Sequence, residues 1–127
     1  MTMNNDDLLR IQRALAELDA IVGASNDRTE VPFYGPTLLA SMTAQDQDMA
    51  ISAEQATYDE RPSDSAVHFC LTSAIALLEV SQALLSQPAN PTPQEREHHS
   101  RTLVAYVKTA GRSAYRAASI LADQHDL

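Results

Sequence analysis

Tryptophan is absent from this chain, cysteine occurs once, and glycine occurs three times in 127 residues. Three glycines are too few for an all-β chain with many tight turns. Aromatic residues are scarce, and alanine and leucine carry the apolar content, which favours helix over sheet. A single cysteine excludes an internal disulfide and fits a reducing compartment. The first ten residues, MTMNNDDLLR, lack a basic segment followed by an apolar one, so they do not read as a signal peptide. Together these absences point to an all-α, cytoplasmic, soluble protein. The length sets an expectation of one domain, residues 1–127, able to bury a core without disulfide or metal.

Positive charge is also in short supply. The net charge is −8 and is unevenly spread. Residues 1–35 hold six acids against three bases, 36–92 hold seven acids against Arg61 alone, and 93–127 hold four acids against five bases. An acidic surface disfavours nucleic acid and anionic membrane as partners and favours a protein with a basic surface. It also serves solubility.

The organising stretch is Ala66 to Gln87, AVHFCLTSAIALLEVSQALLSQ. At about 100° per residue, Val67, Cys70, Leu71, Ala74, Leu77, Leu78, Ser81, Leu84 and Leu85 share one broad face. Phe69, Ala76, Val80 and Ala83 cluster opposite. A helix apolar nearly all round is buried on several sides, so this segment is expected at the centre of a bundle, with its second face in a subunit contact. Its His, Glu, Gln, Ser and Thr content argues against a membrane span. Cys70, on the broad face, is expected to be a small buried hydrophobe. His68 and Glu79 are expected on one solvated strip with Thr72 and Gln82, since buried carboxylates are rare unless paired.

Four helices are predicted, at roughly 6–22, 37–59, 64–87 and 93–124, forming an up-down four-helix bundle. In the first, Leu8, Ile11, Leu15, Leu18 and Val22 repeat at 3-4 spacing, Asn5 or Asp6 caps the start, and Gly23 is a stop. Val31, Phe33 and Tyr34 then fall in a loop from Ala24 to Pro36 and are expected to tuck over the core. The second helix starts at Pro36 or Thr37 and carries Leu38, Leu39, Met42, Met49, Ala53 and Ala56 on its inner side. DERPSD separates it from the central helix, because Pro62 stops one helix and Ser63 or Asp64 caps the next. A stiff connector, QPANPTP, precedes the fourth. Thr92-Pro93-Gln94-Glu95 reads as a capping box. Leu103, Val107, Ala110, Ala114, Ala117 and Leu121 mark the inner face of the fourth helix, and Ala110, Gly111, Ala114 and Ala118 leave room for a close neighbour.

No catalytic motif is present. His68 and Cys70 point about 160° apart on a helix, which rules them out as a Cys–His nucleophile pair. Glu95-Arg96-Glu97-His98-His99 contains Glu-x-x-His, half of a di-metal bundle motif, but no second copy exists to complete it. Glu95, His98 and His99 are thus incomplete candidates for a metal, and no cofactor is expected. Asp46-Gln47-Asp48 lacks the glycine and terminal glutamate of a calcium loop.

Two charged surfaces remain. The second helix carries the densest acids on its outer side: Asp46, Asp48, Glu54, Asp59 and Glu60. The fourth carries a basic stripe, Arg101, Lys108, Arg112 and Arg116, with Tyr115 alongside. The stripe is meagre for nucleic acid when the rest of the chain sums to −12. The acidic side of one copy meeting the stripe of another is a self-complementary arrangement.

The resulting expectation is a small acidic, non-enzymatic protein-binding module, an inhibitor or immunity-type protein that occludes a basic surface of a partner such as a nucleic-acid-binding enzyme. A ligand- or metal-binding bundle and a self-associating structural module are the alternatives. A homodimer is expected because the central helix has more apolar face than a small bundle must hide.

Overall fold

A computed structural model of the chain describes residues 4–29, 35–58, 60–87 and 89–127, with backbone alone at 25–29. The fold is all-α: among the described residues there are five helices and no strand. These are α1 (Asn5–Thr29), α2 (Pro36–Ala40), α3 (Ala44–Ala56), α4 (Pro62–Leu85) and α5 (Pro93–His125). Four helices were expected; the second is divided in two. Val31, Phe33 and Tyr34, expected over the core, lie outside the described residues, as does Asp59.

Local chemistry explains most boundaries. The Asn4 side chain accepts the backbone N–H groups of Asp6 and Asp7 at 3.0 and 3.1 Å, and the Asp7 carboxylate accepts the Asn4 N–H in return. Orphan donors at the start of α1 are satisfied this way. The helix does not stop at Gly23 but runs on to Thr29. A lone glycine costs only about 1 kcal/mol in a helix interior, and no proline follows until Pro32. The split between α2 and α3 arises at Ser41–Thr43. Ser41 turns its hydroxyl back to the Leu38 carbonyl at 2.6 Å, and Thr43 caps α3 by accepting the Asp46 N–H. Thr92 and Glu95 form the expected capping box at the head of α5.

The α4–α5 hairpin is the axis of the fold. Ser73 donates to the Ala110 carbonyl at 2.9 Å, and Gln124 reaches Ser63 at 3.3 Å, which sets the two helices antiparallel. Phe69 and Ala66 of α4 pack with Ala117 and Ile120 of α5 and Ile51 of α3. A second core lies on the far side of α4, where Leu15 and Val22 of α1 meet Ile75, flanked by Ile11, Leu18, Leu71 and Leu78. The 3-4 seam of the first helix is therefore a core seam, as its spacing predicts.

The central helix is rotated relative to expectation. Its buried side is the one bearing Phe69, Ala76, His68 and Thr72, whereas Val67, Cys70, Leu77 and Leu84 of the broad apolar face are exposed. Cys70 is not a buried hydrophobe. His68 and Thr72 are not on a solvated strip: both are buried, His68 beside Glu54 of α3 and Thr72 with its hydroxyl donating to the His68 carbonyl, and Glu79 is half-buried. On α5, Ala110 and Ala117 are buried as expected, but Val107, Ala114 and Leu121 face outward. Met49 of α3, expected inside, is exposed. On this side α2 and α3 cover the hairpin: Ile51 of α3 enters the core, and around it polar groups of α3 meet polar groups of α4 and α5.

Candidate functional site

The contact between α3 and the hairpin is built from a polar stripe. Gln47, Ile51, Glu54 and Tyr58 recur at 4-3-4 spacing, which places them on one helical face. All four are buried. Gln47 donates to the Thr109 hydroxyl at 3.1 Å and accepts from Arg112 at 3.3 Å. Arg116 donates to Gln55 at 2.9 Å and to the Ser52 hydroxyl at 3.4 Å. Deeper in, Glu54 Oε1 lies 3.8 Å from His68 Nδ1, and His68 Nε2 is 3.1 Å from the Tyr58 hydroxyl. Burial pushes the Glu54 carboxyl up to about 7. Burial lowers His68, against a raising pull from Asp64. Both shifts disfavour the charged forms and so work against a full ion pair; at pH 7 the Glu54 carboxyl is about half protonated.

The sequence-assigned acidic patch is thereby reduced. Asp46, Asp48 and Glu60 are exposed, but Glu54 points into the core. Glu54 was read as an outer residue because acids favour water; its spacing from Gln47 and Ile51 was the signal for the inner face.

The basic stripe is also divided. Arg112 and Arg116 hold α3 in place through neutral amides and a hydroxyl, Arg101 pairs with Glu97 at 2.6 Å, and Lys108 and Tyr115 remain exposed. An open groove of about 870 Å3 between α3 and α5 is lined by Lys108, Arg112, Arg116 and Tyr115 together with Asp48 and Asp123. Its three cations, two of them engaged with α3, stand beside two acids.

At the head of α5, Glu95, His98 and His99 line a cavity of about 420 Å3 with Gln87, Pro91 and Arg96. The Glu95 carboxylate is engaged by the Thr92 N–H in the capping box, and His98 is exposed. His99 Nε2 is buried without a hydrogen-bond partner among the described residues. Among those residues, no three His, Cys, Asp or Glu side chains converge on a point where they could hold a metal ion. A further groove of about 520 Å3 runs between α1, α4 and α5 and contains Asp19, Glu79 and Tyr106. Burial raises Glu79, the nearby Asp19 adds to the rise, and its hydrogen bond with Tyr106 opposes it.

The most extensive feature is apolar. Val67, Cys70, Ala74, Leu77, Ser81 and Leu84 form a 3-4 stripe along α4. Val104, Val107, Gly111, Ala114, Ala118 and Leu121 form another along α5. On α4 this stripe lies roughly opposite His68 and Thr72, and on α5 roughly opposite Thr109, Arg112 and Arg116, at about 100° per residue. Those are the residues that meet α3 or line its contact, so both stripes lie on the face of the hairpin away from α3. The six large residues are each between 44% and 55% exposed. No charged residue falls on either stripe. Gly111 sits in the middle, and a Cβ built on it would meet no atom within 4 Å. Among the described residues nothing packs on it to offset its cost to the helix of about 1 kcal/mol. By length and composition α4 is the one helix among the described residues apolar enough to cross a membrane. Its other side, however, is committed to polar contacts through His68, Thr72 and Ser73.

Compared with known proteins, the chain matches no family model, no curated protein and no solved structure.

Proposed function

We propose that this protein is a non-enzymatic protein-interaction module whose working surface is the uncharged face of α4 and α5, and whose occupant is an apolar helical surface of another chain. One observation carries the reading: two continuous 3-4 apolar stripes lie side by side on the hairpin face away from α3, half exposed. Monomeric proteins rarely leave so large a contiguous apolar patch to water unless it is a contact surface. The 3-4 spacing is that of helices that pack along their length.

The test is capture from nuclease-treated host lysate by the tagged protein and by a Leu77→Asp, Val107→Asp variant, washed at low and at high salt. Apolar docking predicts a stoichiometric polypeptide that survives high salt and is lost with the variant, while both proteins melt at similar temperatures. Equal capture by both sinks the reading.

Occlusion of a basic partner by the acids of α3 is a second reading, favoured by the exposure of Asp46, Asp48 and Glu60. Its complex would dissociate at high salt, because exposed charges are screened, and would be lost on neutralising those three residues.

A further inference from the structure

We infer that the occupant of the α4–α5 face is a second copy of this chain, stacked antiparallel to form a four-helix interface about a two-fold axis. This inference rests on the interaction reading above and names its partner.

Three observations select a second copy. The first is area. Six half-exposed large side chains and the small residues between them offer on the order of 700 Å2 per protomer, close to the ~800 Å2 per partner of specific stable complexes. The second is shape. The bonded pair Ser73 and Ala110 sets the register of the hairpin. In that register Leu77, Leu84, Val104 and Val107 gather at one half of the face. Cys70, Gly111, Ala114 and Ala118 gather at the other, with Ala74 between the halves; the large residues on that half are Val67 and Leu121, toward its outer end. Each copy therefore carries both a raised half and a shallow half. Rotation about an axis lying in the face and perpendicular to the helices lays the raised half of one copy on the shallow half of its partner, twice over. Such a contact is isologous and closed. The third is Gly111. It lies in the shallow half with open space where its Cβ would be, and a partner helix packed there accounts for its presence. The face is uncharged, so no like-charge pair arises when two identical copies meet.

In this arrangement Ala74 lies near the axis and meets its own counterpart. Cys70 lies about 12 Å along the helix from its counterpart, at ~1.5 Å rise per residue, too far for a disulfide.

The experiment is sedimentation of the purified, tag-free full chain across a hundredfold concentration range, paired with thiol trapping. The expected species has twice the 13.8 kDa monomer mass and dissociates on dilution. Leu77→Glu and Ala114→Glu should each weaken association at least tenfold while retaining the helical circular dichroism of the parent. If either variant fails to fold, Cys70 of the unmodified protein supplies a separate readout. It should react slowly with maleimide at high concentration and several-fold faster after dilution. Under mild oxidation, Ala74→Cys in a Cys70→Ser background should form an interchain disulfide, and the parent should not. A disulfide through Cys70 with none through Ala74→Cys overturns the antiparallel stack.

A concentration-independent monomer overturns the second copy. If that monomer still captures a face-dependent protein at high salt, the interaction reading survives with a different partner. If it captures nothing, both fall. A monomer that instead floats with phosphatidylcholine vesicles overturns both in favour of a lipid surface.

Discussion

The flank of α4 and α5 that lies under α3 is lined with Ser65, His68, Thr72, Thr109 and Ser113, with Gln47 and Glu54 of α3 set against it, all buried. The opposite flank carries Val67, Leu77, Leu84, Val104, Val107 and Leu121, all substantially exposed. A water-soluble bundle ordinarily distributes these residue types the other way round. Polar groups can be buried when they are paired, as Gln47 is with Thr109 and Arg112, His68 with Tyr58, and Ser73 with the Ala110 carbonyl; the buried Ser65 and Ser113 hydroxyls and Glu54 Oε1 have no hydrogen-bond partner among the described residues. Apolar groups can be exposed only at the expense of hydrophobic free energy, about 25 cal/mol per Å2 of apolar surface left in water. The inversion teaches that α3 is anchored by Ile51 in the core and oriented by the hydrogen bonds around it. The driving force of the outer flank is held in reserve for a contact outside the chain.

The contrast is broken or sharpened by measurement. The largest effect is expected from truncation on the two flanks. Phe69 is buried in the inner core, so Phe69→Ala should cost about 3–5 kcal/mol in urea unfolding of dilute protein. Leu77→Ala, on the outer flank, should cost under about 1 kcal/mol in the same assay, since an exposed side chain loses little on truncation. Comparable losses would mean that the outer flank is covered within the chain.

A pH series comes next. The Glu54 carboxyl is raised to about 7 in the folded protein, against an ordinary value near 4.5 when unfolded. The folded state therefore binds the Glu54 proton more tightly, and this contribution to stability is lost as pH rises from about 4.5 through about 7. His68 acts in the opposite sense: its value is lowered on folding, so its contribution is lost as pH falls below about 6.5. The two offset each other in mildly acid solution, and Glu79, also raised by burial, acts in the same sense as Glu54. Glu54→Gln keeps the uncharged shape, so it should match the parent near pH 4.5 and exceed it by on the order of 3 kcal/mol above pH 7. Thermal melts at pH 5 and pH 8 would show the difference growing with pH; a constant difference would place the carboxyl in water.

Thr109→Val tests the hydrogen-bonded attachment of α3. It strands the buried Gln47 amide that now donates to the Thr109 hydroxyl, and should cost about 1–2 kcal/mol. Proteolytic nicking should appear in α3 before α4 or α5 if the helix is held as described. The smallest effect is expected at Gly111. With open space at its Cβ, Gly111→Ala should stabilise the dilute monomer by about 1 kcal/mol while weakening any association that presses a helix against that point. A gain in both would remove Gly111 from the interface.

Much of the fold was legible from residues alone because its causes are local. The capping box at Thr92 and Glu95, the proline at the head of α2 and of α5, and the 3-4 seam of α1 depend on neighbours within a turn or two; Pro62, expected as a stop with Ser63 or Asp64 as the cap, instead heads α4 behind Arg61. What misled was the rule that the broader apolar face lies inside. It placed Cys70, Val107 and Leu121 in the core, and Glu54, His68 and Thr72 in water. The spacing of Gln47, Ile51, Glu54 and Tyr58 contained the correct inner face of α3, but their polarity hid it. A polar residue's burial depends on whether a partner arrives from a distant part of the chain.

The sequence by itself therefore determined an all-helical chain, its caps and breaks, and an apolar surplus on the helix from Pro62 to Leu85. Only the tertiary structure decided which side of that helix faces α3 and which faces outward. The physical reason is that helix formation is set by backbone propensity and local hydrogen bonds. Rotation about a helix axis is set by the pairing of groups such as Gln47 with Thr109 and Ser73 with the Ala110 carbonyl, which lie far apart along the chain.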